Sequence, residues 1–105
     1  MIRAAFTFNI RPDKIPEYKE HHKNVWPEMK EALSRNGWHN YTLFLKENGE
    51  VYGYVETPNG LDEANAGMQE EAINAKWQEM MAPFVPEGIK PDQSFIILEE
   101  YFHLE

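Results

Sequence analysis

The chain contains no cysteine, which removes disulfides, thiolate catalysis and thiolate metal sites together. It also lacks a basic cluster: 10 lysines and arginines stand against 18 aspartates and glutamates, a formal charge of −8. Such a surface repels phosphate backbones and anionic headgroups, so neither nucleic acid nor a membrane is expected as a partner. No long apolar run is present and no leader-like segment opens the chain, so a cytoplasmic protein is expected. Phosphate-cradling glycine loops, dinucleotide fingerprints and nucleophile elbows are missing as well. What is there is one domain's worth of sequence, residues 1–105, of which 42% is hydrophobic and 27% charged. Its aromatic share of 13% is high for this size and must be placed in a core or in a site.

Residues 2–11 alternate, with Ile2, Ala4, Phe6, Phe8 and Ile10 on one side, which predicts a half-buried strand. Pro12 and Asp13 end it, and Asp13 is the expected N-cap of a helix with Pro16 in its first turn. Ile15, Tyr18, His22, Val25 and Met29 fall on one helical face, followed by Leu33. Pro27 removes a helical donor and biases Trp26 away from the helix, so a break is expected there. A second piece then runs from Pro27 to Asn36, with Gly37 just past its end. Residues 39–47 and 51–57 are expected strands joined at Asn48-Gly49, a strong hairpin signal. Residues 61–82 predict one or two helices broken near Gly67 and ended by Pro83. Their inner face should hold Leu61, Ala64, Met68, Ile73, Trp77, Met80 and Met81. A proline-rich loop over 83–93 and a final alternating strand over 94–104 complete the chain.

The order strand, helix, strand, strand, helix, strand defines an α+β fold of the ferredoxin-like, split βαβ kind, an antiparallel sheet with helices on one face. The last strand carries large apolar residues on both sides, so neither sheet face is prepared for water. Pairing two sheets would bury that surface, and a homodimer is expected.

His22 and Tyr18 lie one helical turn apart on the inward stripe. Two readings stand for them: satisfied core groups, or the lining of a pocket in which an imidazole moves protons near neutral pH. Tyr41, Trp26, Trp38 and Trp77 divide in the same way, between core filling and a cavity whose flat rings suit the C–H faces of sugars. His21, His22, Glu17 and Glu20 suggest a metal site only weakly, because adjacent histidines diverge by about 100° on a helix. His39 and His103 have no recognisable partner in the sequence.

The segments MIRAAFTFNIRPD, EYKEHHKNVWPEM, GWHNYTLFL and LEEYFHL resemble the L-rhamnose mutarotases, and the likeness runs over essentially the whole chain. The resemblance implies a dimeric α/β-barrel of ferredoxin-like subunits that interconverts the α and β anomers of L-rhamnose. By position it implies that His22 is the proton-donating histidine and that Tyr18 and Tyr41 bind the substrate. It places the family's tryptophan pair at Lys76 and Trp77, so only the second aromatic is kept here. Ring opening and closing by acid–base steps calls for neither a metal nor a redox cofactor. On that reading His22 protonates the ring oxygen while an unnamed group or a water takes the hydroxyl proton. Rival readings are a cofactor-independent monooxygenase or lactone isomerase on the same fold, or a sugar-binding module without catalysis.

Overall fold

A computed structural model describes residues 1–86 and 95–105. Strand β1 (Ile2–Asn9) leads through a 3₁₀ turn (Pro12–Lys14) into α1 (Ile15–Lys23), and α2 (Pro27–Arg35) follows at once. Strands β2 (His39–Leu45) and β3 (Glu50–Thr57) form a hairpin, and α3 (Leu61–Gln69) and α4 (Ala72–Met81) come next. A second 3₁₀ turn (Ala82–Phe84) and β4 (Ile96–Leu98) complete the described elements. The four strands make one antiparallel sheet in the order β2-β3-β1-β4, an α+β architecture.

Alternation decides which sheet face is buried. Phe6 pairs with Gly53 and Phe8 with Val51, and these residues, with Val55, form the floor on which the helices sit. Gly53 is required by close approach: a Cβ there would lie 2.4 Å from Phe6 Cζ. The opposite face carries the rungs Phe44–Tyr52–Thr7–Ile96 and Thr42–Tyr54–Ala5–Leu98 across all four strands. On it Phe44 is 63% and Ile96 61% exposed.

The helix break falls at Pro27, where Trp26 turns to an extended ψ of 137° and its carbonyl receives the Lys30 N–H at 3.0 Å. Gly37, with φ 84°, ends α2: its N–H reaches the Ser34 carbonyl while that of Trp38 reaches Leu33. That pair of bonds is the glycine-terminated cap expected of such a position.

Several expectations are corrected. Asp13 does not cap α1; it lies in the 3₁₀ turn and pairs with Arg11 at 3.2 Å. Ile10 and Arg11 leave the strand because their N–H groups bond Gly49 and Phe84 carbonyls instead. The second helical break comes at Glu70–Glu71 rather than near Gly67, which stays helical. Gly67 instead makes room for Asn36, whose Oδ1 a Cβ there would meet at 2.2 Å. Arg35, the last residue of α2, and Asn36 just past it hold Glu71 with contacts of 2.8 Å each, fixing where α4 starts. The final strand is shorter than expected, because beyond Leu98 the link to β1 passes to side chains, Arg3 to Glu100 at 2.7 Å. Of the expected loop, Phe84 and Val85 are buried; its residues 87–93, and the expected strand's residue 94, lie outside the described residues.

Candidate active site

Between the helices and the sheet lies a cavity of about 560 Å³, within the about 300–1,000 Å³ usual for small-molecule sites. His22 reaches it from α1, Met29 and Leu33 from α2, Tyr41 from β2, and Trp77 from α4. Its wall mixes hydrocarbon with scattered polar groups, a lining suited to a ligand that has both hydroxyls and C–H faces.

His22 is held in one state. Its Nδ1 lies 2.9 Å from the Tyr18 carbonyl oxygen, and a carbonyl only accepts, so Nδ1 carries the proton. Nε2 is therefore the lone-pair nitrogen left for a ligand. The imidazole stacks on the Tyr18 ring at 4.3 Å and meets the Trp77 ring edge-on at 5.5 Å. Trp26 buttresses Trp77 from behind at 5.1 Å, nearly perpendicular. Burial lowers the His22 pKa below its ordinary 6.5, against the raising effect of the Tyr18 carbonyl, and the neighbouring His21 lowers it further. Burial likewise pushes the Tyr18 and Tyr41 phenols up, so both stay protonated at neutral pH.

Tyr41 owes its place to a bulge in β2. His39 pairs with Glu56 but Thr42 with Tyr54, so two residues, Asn40 and Tyr41, stand opposite one. Asn40 takes the left-handed conformation, φ 51°, which asparagine tolerates better than most residues. Its side chain donates to Glu56 at 3.2 Å and its carbonyl accepts the Thr42 hydroxyl at 3.0 Å. The bulge thus sends Tyr41 into the cavity, 4.8 Å from the Trp38 ring, whose Nε1 is anchored on the Ala64 carbonyl.

The expected site residues sort as follows. His22, Tyr41 and Trp77 meet around this cavity, as does Trp38. Tyr18 stands behind His22 and is not part of the cavity wall. Lys76 is exposed and does not line it, because one helical step from Trp77 rotates it by about 100°. Among the described residues no group of three or more histidines and carboxylates could hold a metal. His21 packs on Phe84, and Glu20 faces Lys23 at 3.7 Å. Sequence reasoning missed Asn74 and Gln78, which line the cavity from α4. The signal was present for Asn74, which shares the spacing of Trp77 and Met81 on the buried stripe.

The fold and this geometry define a class: a small α+β domain whose cavity offers one neutral imidazole among aromatic rings and amides. A family model of L-rhamnose mutarotase matches residues 3–104. L-rhamnose mutarotases of Oceanobacillus iheyensis and Bacillus subtilis are 35% and 34% identical, each alignment covering 100% of both chains. A crystal structure of the L-rhamnose mutarotase of Formosa agariphila superposes with a TM-score of 0.81 at 28% identity, again over 100% of both chains. The chain belongs to the L-rhamnose mutarotase family.

Proposed function

We propose that this chain interconverts the α and β anomers of L-rhamnose in the His22 cavity, with that imidazole carrying the proton. The activity, that of an L-rhamnose mutarotase and hence of an isomerase, follows from family membership over nearly the whole chain. The observation that carries the site assignment is the fixed Nδ1–H tautomer, which presents Nε2 as a base.

Opening the pyranose moves one proton from the anomeric hydroxyl and delivers one to the ring oxygen. Nε2 takes the proton from O1; the O1 electrons form C1=O1 as the C1–O5 bond breaks. The imidazolium then returns the proton, from the same Nε2, to O5. Both oxygens sit on C1, so one nitrogen serves both without a second group. Rotation about C1–C2 and the reverse steps close the ring on the other face. No carboxylate lines the cavity among the described residues, and the titratable groups there are His22, Tyr41 and Lys30. On this reading His22 begins as the base and then acts as the acid at the ring oxygen, the proton-donating role that the resemblance implied, with no group or water assigned to the hydroxyl proton. General acid–base help of this kind contributes about 10²–10⁴-fold. Tyr18 positions the imidazole through its carbonyl and its ring. Tyr41 hydrogen-bonds the sugar, and Trp77 offers it a flat wall. Lys76 receives no part in binding.

The strand order also supports a ferredoxin-like assignment for a single domain over residues 1–105. The exposed aromatic and aliphatic sheet face supports a homodimer, with two such faces packed together. The acidic charge argues against nucleic-acid and anionic-membrane partners, and no described helix is long and apolar enough to cross a membrane. Saturation-transfer NMR on L-rhamnose tests the core of the proposal. His22→Gln should fold and assemble yet lose the accelerated anomer exchange; exchange at the wild-type rate would remove His22 from the mechanism.

A further inference from the structure

Two polar residues are buried among the described ones, Thr57 and Asn74. Thr57 has a structural explanation, since its hydroxyl accepts the Gly60 N–H at 2.8 Å and closes the turn after β3. Asn74 has none. It is 4% exposed, stands on α4 one turn before Trp77, and lines the cavity. Its Oδ1 accepts the Gln78 Nε2 at 3.0 Å. No acceptor among the described residues takes its Nδ2 protons. No side-chain nitrogen or oxygen among the described residues is both sealed and without a partner, so Nδ2 keeps some accessible surface, and Asn74 lines the cavity.

The joined amides leave a definite residue of hydrogen-bonding capacity. With Oδ1 and Nε2 bonded to each other, Asn74 Nδ2 remains as a donor and Gln78 Oε1 as an acceptor, one helical turn apart. Exchanging oxygen and nitrogen on both amides gives the same count, one donor and one acceptor. A hydroxyl is the common group that needs both at once, accepting through its oxygen and donating its proton. A methyl meets neither requirement, and an ether oxygen, which only accepts, meets one.

We infer that the Asn74–Gln78 pair is a clamp for one sugar hydroxyl and sets the specificity of the cavity. This deepens the mutarotase reading and rests on it. The hydroxyl is remote from C1. Trp77 is the α4 residue whose ring meets His22, and Asn74 stands three residues, about 4.5 Å of helical rise, before it. That distance is comparable with the width of a pyranose ring, so a sugar with C1 at Nε2 presents a hydroxyl from its far side to the amides. Leaving a buried amide unpaired costs enough that a sugar lacking the hydroxyl should bind at least roughly tenfold more weakly.

The test uses Gln78→Leu and Asn74→Leu against L-rhamnose and its 2-, 3- and 4-deoxy analogues. Binding is read by quenching of tryptophan fluorescence, since Trp38 and Trp77 line the cavity, and turnover by saturation transfer. Wild-type protein should discriminate against one of the deoxy sugars by about tenfold or more. Gln78→Leu should lose a similar factor on rhamnose, chiefly in KM rather than kcat, with no further loss on that one analogue. Gln78 is only half-buried, so its variant reads the clamp even if Asn74→Leu does not fold. Unchanged rhamnose affinity in folded Gln78→Leu, or a loss that is the same for rhamnose and all three analogues, overturns the clamp. Failure of the parent reading looks different: the wild-type protein would then bind rhamnose without accelerating its exchange, or not bind it at all.

Discussion

Gly53→Ala is the substitution through which core packing and catalysis are most tightly joined. The added methyl would stand 2.4, 2.7 and 2.8 Å from three atoms of the Phe6 ring, where carbon contacts normally settle at about 3.5–4.0 Å. The ring must retreat by about an ångström, and its surroundings resist. Phe6 is fully buried, stacked on Phe95 at 4.3 Å, with Tyr41 at 6.1 Å and Trp38 edge-on at 6.4 Å. Overpacking of this kind costs about 1–3 kcal/mol, a loss of roughly 5–20 °C in Tm for a domain of this size. Phe95, Tyr41 and Trp38 also line the cavity, so anomer exchange should fall well before the protein unfolds. Thermal or urea unfolding followed by tryptophan fluorescence at fixed protein concentration measures the first effect, and saturation transfer the second. Phe6→Leu supplies the control, because it removes the ring edge that the methyl strikes. The double variant should be more stable than the sum of the single losses by at least about 0.5 kcal/mol. Strict additivity, or a Gly53→Ala protein as stable as the parent, would refute the argument.

Other consequences concern charge and assembly. Burial lowers the His22 pKa from its ordinary 6.5, and the proposed mechanism has Nε2 act first as a base, so kcat/KM should fall as pH drops through the lowered value and not fall on the alkaline side of it; a rate that instead rises with protonation would make His22 an initial acid. The Arg35 guanidinium and the Asn36 amide hold the Glu71 carboxyl down to about 2. Its folded pKa is below the unfolded one, so the stabilisation is complete above about pH 4.5 and is lost as pH falls towards 2. The stability gap between wild type and Glu71→Gln should narrow across that window in acid titrations, whereas a constant gap would deny the ion pair any linkage. Phe44→Glu, placed at 63% exposure on the bare sheet face, should shift sedimentation towards monomer while leaving circular dichroism intact; an unchanged mass would move the interface elsewhere.

Much of this architecture was legible because its signals are local. The alternation of β1, the break at Pro27, the Gly37 cap and the Asn48-Gly49 hairpin each need only a few adjacent residues, and all are present. The hairpin differs in one detail: Gly49 alone takes positive φ, with the Asn48 side chain accepting the Glu50 N–H at 3.1 Å. What stayed hidden depends on distant partners. The helical break moved from Gly67 to Glu71 because Arg35 and Asn36, more than thirty residues away, bind Glu71. The end of β4 depends on what β1 can offer beside it. Within the site, the stripe Tyr18–His22 was visible as periodicity. The tautomer of His22 was not, since it follows from a backbone carbonyl that no residue pattern announces. Asn74 was passed over because a polar residue on a buried stripe breaks the hydrophobic pattern that identifies the stripe.

A mutarotase places a particular demand on its site. Its substrate and product differ only at C1, and between them the open chain must turn about C1–C2. Contacts that grip C1 or its hydroxyl in one orientation would favour one anomer and slow the return. In the proposed mechanism the roles are separated along the cavity. Around His22 the supports are ring faces and edges together with a single backbone carbonyl, and none of them selects an orientation of O1. The proposed clamp gives the directional hydrogen bonds to the Asn74 and Gln78 amides of α4, which take a hydroxyl that does not change during the reaction. Holding the sugar at its far side while leaving C1 free lets one nitrogen reach O1 on either face. It also explains why the tautomer matters more than acid strength: the same nitrogen must receive and return the proton, so it must start empty.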